Sequence, residues 1–258
     1  MTEITYTIVS DGSRFDIVAS VRDAGEDLLV FLHGLGCSKS TWRDVWSRRE
    51  FDSFSILCLD LPGHGNSDRP TAFSYAMEDY AIACADVLSF FPSKRIHIVG
   101  HSMGGAIGLL LPGDVLLSAA SFVNVEGNMT PEDCAWASRR TISVPYEQFL
   151  ADAWPGFVKD YEDEGKRFHS LDRVSPDAFY RSAESLVEWS DNGRLLRAYR
   201  DLVCRKLYIC GDRNADHPTV SSLERLDVEA IPNSGHFSMI DNPDGFYAAL
   251  RRLVEMVH

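Results

Sequence analysis

Arg95-Ile96-His97-Ile98-Val99-Gly100-His101-Ser102-Met103-Gly104-Gly105-Ala106-Ile107-Gly108-Leu109-Leu110-Leu111 is the stretch whose reading decides the fold. Its first five residues form a short, mostly apolar run, the composition of a strand buried on both faces. Small residues and then bulky ones follow Ser102, as in a helix packed closely on a sheet. A serine between two glycines therefore stands at a strand-to-helix corner too tight for larger side chains. Such a corner holds the serine backbone strained and projects its hydroxyl above the sheet. The amide of Met103 opens the helix, so it has no intrahelical acceptor and is aimed at any oxyanion that develops nearby.

Outward from this corner, strands alternate with helices. Ile4 to Val9 and Phe15 to Val21 read as an antiparallel hairpin around Ser10-Asp11-Gly12-Ser13. Leu28-Leu29-Val30-Phe31-Leu32 is a continuous apolar run ending in His33-Gly34-Leu35-Gly36, with a helix through Trp42, Val45 and Trp46 behind it. Phe54 to Leu59 is a second buried strand, ending in Asp60-Leu61-Pro62-Gly63-His64-Gly65-Asn66-Ser67-Asp68. Tyr75 to Phe91 carries a helical apolar period, and Ala119 to Val125 is a strand that stops at Glu126-Gly127-Asn128. This alternation predicts crossover connections and a parallel sheet. The sheet resumes at Lys206 to Gly211. A helix through Leu223 to Leu226 and a strand near Val228 to Ile231 lead to Asn233-Ser234-Gly235-His236-Phe237. In the closing helix Asn242 caps, Pro243 takes the first turn, and Phe246, Leu250, Leu253, Val254 and Val257 form one apolar stripe.

Between about 127 and 195 the rhythm changes, and only helical patterns occur: Pro131 to Arg140, Pro145 to Tyr161 and Pro176 to Glu188. This predicts three parts: a core from 1 to 126, a helical cap from 127 to 195, and the rest of the core from 196 to 258. The cap holds ten of the 28 aromatic side chains, a modest excess that fits an aromatic underside or ordinary helix packing. On the first reading Trp136, Trp154 and Phe157 line a pocket.

Composition excludes several function classes. The 258 residues are 45% hydrophobic and 24% charged, as in one globular domain with an insertion. A formal net charge of −13 argues against nucleic acid or an anionic membrane as the main partner. No apolar run approaches the ~20 residues of a membrane span, and the first residues lack the basic and apolar regions of a signal peptide. A cytoplasmic location is expected. The six cysteines form no C-x-x-C pair and do not cluster with histidines, so no metal is expected. Cys58 and Cys210 fall inside strands as buried, inert thiols, while Cys37 stands near a loop and could be exposed.

Four motifs now stand in order: His33-Gly34-Leu35-Gly36, Asp60 to Ser67, Gly100-His101-Ser102-Met103-Gly104-Gly105, and Gly235-His236. With each at a strand end, the chain resembles the α/β-hydrolase-fold serine hydrolases over essentially its whole length. The resemblance implies an α/β fold: a mostly parallel eight-stranded sheet, helices on both faces and an inserted helical cap. It implies Ser102 as nucleophile, His236 as its base, and the amides of Leu35 and Met103 as oxyanion donors. His33 and His101 match family positions that support loops.

The acid departs from the family's common pattern. Many relatives carry an Asp three residues beyond the glycine ending the penultimate strand, where this chain has Asn214 after Gly211. An amide can orient His236 but cannot stabilise an imidazolium as a carboxylate does. Glu126, Asp216 and Asp212 are the candidates. Glu126 is preferred because it ends an apolar strand on the active-site edge just after the nucleophile's helix, an arrangement resembling that of haloalkane dehalogenases. Asn214 is then expected to stay out of the relay.

The expected activity is cofactor-independent hydrolysis of a carboxylic ester or related acyl bond, with a small-molecule acyl substrate as the partner. Serine at 102 disfavours alkyl-enzyme chemistry, which needs an aspartate there. Esters, thioesters, amides and carbon–carbon bonds all remain open as substrates. The alternative is a small-molecule receptor of the same fold with slow or single turnover, since the loop from His33 to Trp42 resembles some signalling members. A catalytically dead scaffold draws support only from the missing Asp at 214.

Overall fold

The computed structural model describes residues 1–10, 13–135, 137–163, 170–224 and 226–257. Eight strands make one sheet: β1 (Thr2–Ser10), β2 (Ser13–Arg22), β3 (Asp27–Leu32), β4 (Ser55–Leu59), β5 (Arg95–His101), β6 (Ser121–Val125), β7 (Arg205–Gly211) and β8 (Val228–Ile231). Their order is β1-β2-β4-β3-β5-β6-β7-β8. β2 runs antiparallel to β1 and β4, and the remaining pairings are parallel. The carboxyl ends of β3, β5, β6, β7 and β8 therefore share one edge, where loops from distant parts of the sequence meet.

β3 shows why the central strands read as unbroken apolar runs. Leu28, Val30 and Leu32 enter one core cluster with Leu57, Leu59, Ile98 and Ile107, while Leu29 and Phe31 enter another with Trp42, Ile56, Val99 and Phe246. Alternate residues point to opposite faces, and both faces are covered. The helices Met77–Leu88, Met103–Leu109, Pro176–Asp191 and Arg194–Asp201 feed the first cluster, and Lys39–Ser47 and Pro243–Glu255 feed the second.

Several elements differ from expectation in detail. The segment through Trp42 and Val45 is a 3-10 helix, Lys39–Ser47, whose cap Ser38 accepts from the Ser40 amide. The helix expected at Leu223 to Leu226 lies earlier, at Pro218–Ser222, with proline setting its first turn. The closing helix starts as read, Asn242 Oδ1 accepting from the Gly245 amide at 3.0 Å.

Between β6 and β7 the described residues form helices only, and Arg194–Asp201 runs across the expected boundary at 195. The expected pocket rings are a correction. Trp154 and Phe157 pack with Phe149 and Phe179, at ring-centroid separations of 5.2 Å (Trp154–Phe179), 5.4 Å (Phe157–Phe179), 5.7 Å (Phe149–Trp154) and 6.0 Å (Phe149–Phe157). They hold the helices of this block to one another, and neither lines the cavity at Ser102. Trp136 lies outside the described residues. Phe157→Ala is accordingly expected to cost ~3–5 kcal/mol of stability and to leave ligand preference at Ser102 in place. Denaturation by urea checks the first and binding or turnover the second; unchanged stability with altered preference would contradict the placement.

Candidate active site

Ser102 sits between β5 and the helix Met103–Leu109 with φ 52° and ψ −120°. A non-glycine residue at positive φ costs ~1–3 kcal/mol and persists only where surrounding contacts over-determine it. Those contacts are visible. The Ser102 amide donates to Val125 O at 3.1 Å, and its carbonyl accepts from the amides of Gly105 at 2.9 Å and Asn128 at 3.3 Å. A Cβ on Gly104 would lie 2.3 Å from Leu32 O, so the helix rests backbone to backbone on β3. Glycine is required there by close approach.

The loop after β3 passes directly over the serine. A Cβ on Gly34 would stand 3.1 Å from Ser102 Cβ and 3.0 Å from His101 Nδ1. This places the Leu35 segment against Ser102. Among the described residues, neither the Leu35 nor the Met103 amide donates to a protein acceptor. His33 fixes the loop from behind, its Nε2 accepting from the Leu61 amide at 3.0 Å and its Nδ1 donating to Gly34 O at 2.8 Å. Asp60, fully buried, accepts from the amides of Lys39 at 2.7 Å and Asn66 at 2.9 Å and pairs with the Lys39 ammonium, which accounts for the second motif. Burial pushes the pKa of His33 down to about 4 and that of His64 to about 3, so both imidazoles are neutral and only weakly basic.

His236 is carried by the loop after β8, and that loop is anchored at each residue. Asp212 accepts from the amides of Asn233 at 2.9 Å and Ser234 at 3.1 Å, and Asp241 accepts from Gly235 at 2.9 Å. The His101 ring nitrogen Nε2 donates to His236 O at 3.0 Å, and the two imidazoles pack with centroids 4.6 Å apart.

Glu126 faces it. The Nδ1 of His236 is 2.8 Å from Glu126 Oε2. With an ionised carboxylate as acceptor, Nδ1 carries the proton and Nε2 is left as the basic nitrogen. Glu126 Oε1 accepts from the Gly211 amide at 2.8 Å, and Asn214 Nδ2 lies 3.0 Å and 2.9 Å from the two oxygens. Burial works against charge on Glu126, but the hydrogen bond and charge of His236, the Gly211 amide and the Asn214 amide outweigh it and hold its pKa below the ordinary glutamate value. Glu126 itself stands at φ 43°, a second strained non-glycine backbone at this edge.

The other acid candidates are placed elsewhere. Asp212 spends its carboxylate on the loop amides, and Asp216 is exposed. Asn214 corrects an expectation: it makes no bond to His236, yet it is not outside the arrangement, because its amide clamps Glu126. Cys37, for which the sequence left exposure open, is buried, with its thiol pKa pushed up to about 12 by burial.

Ser102, Glu126 and His236 open onto a cavity of about 650 Å³. Leu35 lines it with them, and so do Asn128, Ala137 and Leu186 from the chain between β6 and β7. Asn128 was passed over in the sequence. Its Oδ1 accepts from the Ser102 hydroxyl at 3.3 Å, and the available signal was its place directly after a strand-end carboxylate and glycine. Among the described residues no group of three His, Cys, Asp or Glu side chains converges as a metal would require, and no helix is long and apolar enough to cross a membrane.

A carboxylate whose pKa is depressed by folding stabilises the fold fully above its unfolded value, and that contribution is lost as pH falls through the folded value. The wild-type denaturation midpoint is therefore expected to drop more steeply below the ordinary glutamate value of 4.5 than that of Glu126→Gln. Parallel curves from neutral pH into acid would contradict the assignment of charge to Glu126.

Comparison with known proteins identifies the family and the fold. Residues 29–249 match the model of the alpha/beta hydrolase family. The 2-succinyl-6-hydroxy-2,4-cyclohexadiene-1-carboxylate synthase of Klebsiella pneumoniae is 28% identical over 250 residues, covering 89% of this chain and 94% of that one. An uncharacterized protein of Mycobacterium tuberculosis is 37% identical over 260 residues, covering 88% of this chain and 75% of that one. An esterase from Exiguobacterium antarcticum has the same fold, with a TM-score of 0.74 at 18% identity over 98% of this chain and 99% of that one. The chain belongs to the alpha/beta hydrolase family and has the fold of its enzymes.

Proposed function

We propose that the protein is a serine hydrolase that cleaves a carboxylic ester or a closely related acyl bond through an acyl-enzyme. One observation carries this reading: Ser102, strained at positive φ, and the Glu126–His236 pair, joined at 2.8 Å, open onto the same cavity. In the first half-reaction Ser102 Oγ forms a bond to the acyl carbon and its proton passes to His236 Nε2. The amides of Leu35 and Met103 stabilise the oxyanion, and because they are backbone groups their aim needs no reorganisation. Collapse breaks the bond to the leaving group, which takes the proton from His236. Water then attacks the acyl carbon, giving its proton to His236, and the acid departs as the proton returns to Ser102. Glu126 fixes the imidazole tautomer and stabilises its protonated form.

In this reading the chain from 127 to 195 is a cap whose Ala137, Ser138 and Leu186 meet the acyl group. The synthase among the relatives is named for a carboxylate product. Here Glu132, Asp133 and Asp241 line the cavity with Glu126, against Arg213, which supports a neutral ester over a polyanionic ligand.

Ser102→Ala is expected to fold normally and to lose essentially all hydrolysis in a panel of esters, thioesters and amides, and a serine-directed phosphonate should label wild type and spare the variant. His236→Ala should be nearly as damaging, since members of such a unit act together. Glu126→Gln should lower turnover by roughly 10³–10⁴, with Asp212→Asn and Asp216→Asn mild by comparison. Equal labelling of wild type and Ser102→Ala would remove Ser102 from the mechanism. A single burst without steady turnover would favour the receptor.

A further inference from the structure

Asn128 stands in the cavity wall with its side-chain amide held in one orientation. Its Nδ2 donates to Asp133 O at 3.0 Å and to Cys134 Sγ at 3.4 Å, so Oδ1 is the end turned to Ser102. Its own amide donates to Ser102 O. The segment behind it is tied down by hydrogen bonds. Asp133 Oδ2 accepts from the amides of Met129 and Thr130, both at 2.8 Å, and Asp133 Oδ1 accepts from Thr219 Oγ1 at 2.6 Å. Asn128 is 3% exposed, and among the described residues the Ser102 hydroxyl is the donor that satisfies its Oδ1.

This arrangement has a chemical consequence at the moment of attack. The Ser102 proton must then go to His236, and Oδ1 loses its donor in a wall from which the acyl group has displaced water. A buried acceptor left unpaired opposes the step, whereas a substrate donor at the same place restores the bond. In the tetrahedral intermediate of an ester, the substituents of the carbon next to the acyl carbon and the first carbon of the leaving group each stand three bonds from Oγ, and of these only the former can be hydrogen-bond donors. They fall within reach of an acceptor that had itself been bonded to Oγ. We infer that Asn128 Oδ1 selects acyl groups bearing a hydrogen-bond donor, above all a hydroxyl, on the carbon next to the scissile carbonyl. This rests on the hydrolase reading for the site and names its substrate class as 2-hydroxyacyl esters.

The test compares methyl 2-hydroxybutanoate, methyl 2-methoxybutanoate and methyl butanoate. The methoxy ester keeps the inductive activation of the hydroxy ester but cannot donate. In wild type, kcat/KM is expected to favour the hydroxy over the methoxy ester by about ten-fold or more, and Asn128→Leu should bring that ratio close to one. Affinities of the three esters for Ser102→Ala, read by calorimetry, should show the same order without any turnover. Equal kcat/KM for the hydroxy and methoxy esters in wild type, equal affinities in Ser102→Ala, or a ratio unchanged in Asn128→Leu would overturn the inference. If none of the esters is hydrolysed while the order of affinities holds, the hydrolase reading fails and the role of Asn128 stands. Should Asn128→Leu not fold, the wild-type ratio and the Ser102→Ala affinities decide the matter without it.

Discussion

The Glu126 carboxylate is the constraint on which the candidate site depends. It is largely buried, at the end of β6, on a backbone bent into the left-handed region. A buried carboxylate is tolerated only when its oxygens are well supplied with donors. Here the donors come from three places: the Gly211 amide at the end of β7, the Asn214 side chain one turn later, and His236 on the loop after β8. Satisfying one charge therefore fixes the relative positions of three strand ends. Because β6 also lies beside β5, the same charge is set one strand away from Ser102.

The second half of the site rests on backbone contact. The corner at Ser102 is pressed onto β3 through Gly104, and Gly34 lets the following loop lie against the serine. Neutral, buried His33 and the buried Asp60–Lys39 pair keep that loop in place from the side away from the cavity. In the proposed mechanism this fixes the amides of Leu35 and Met103 before any ligand arrives, the condition under which oxyanion stabilisation is strongest.

Much of this was legible in the sequence, for a physical reason. Strands covered on both faces must be apolar throughout, so β3, β4 and β5 stand out, and the glycines at their ends mark where backbones touch. The placement of Glu126 beside His236 was legible because a charged residue rarely ends so apolar a strand without a partner. Other features depend on side-chain geometry that spacing does not encode. Asn214 was readable as the residue standing where an acid is common, but its clamp on Glu126 is a tertiary fact. Asn128 carries no motif, and its role emerges only once its amide is seen pinned by Asp133 and Cys134. The aromatics between β6 and β7 misled for the opposite reason: rings at helical spacing serve packing as readily as they line a pocket, and Trp154 and Phe157 pack.

The central claim is that Glu126, and no aspartate after β7, orients His236. The most direct measurement is the proton NMR signal of the His236 Nδ1–H, assigned with nitrogen-labelled histidine. A hydrogen bond to a buried carboxylate should hold this proton downfield and protect it from exchange with water. The account predicts that the signal is present in wild type, persists in Asp212→Asn and Asp216→Asn, and shifts upfield or exchanges away in Glu126→Gln. A signal unmoved by Glu126→Gln, but lost in either aspartate variant, would contradict it.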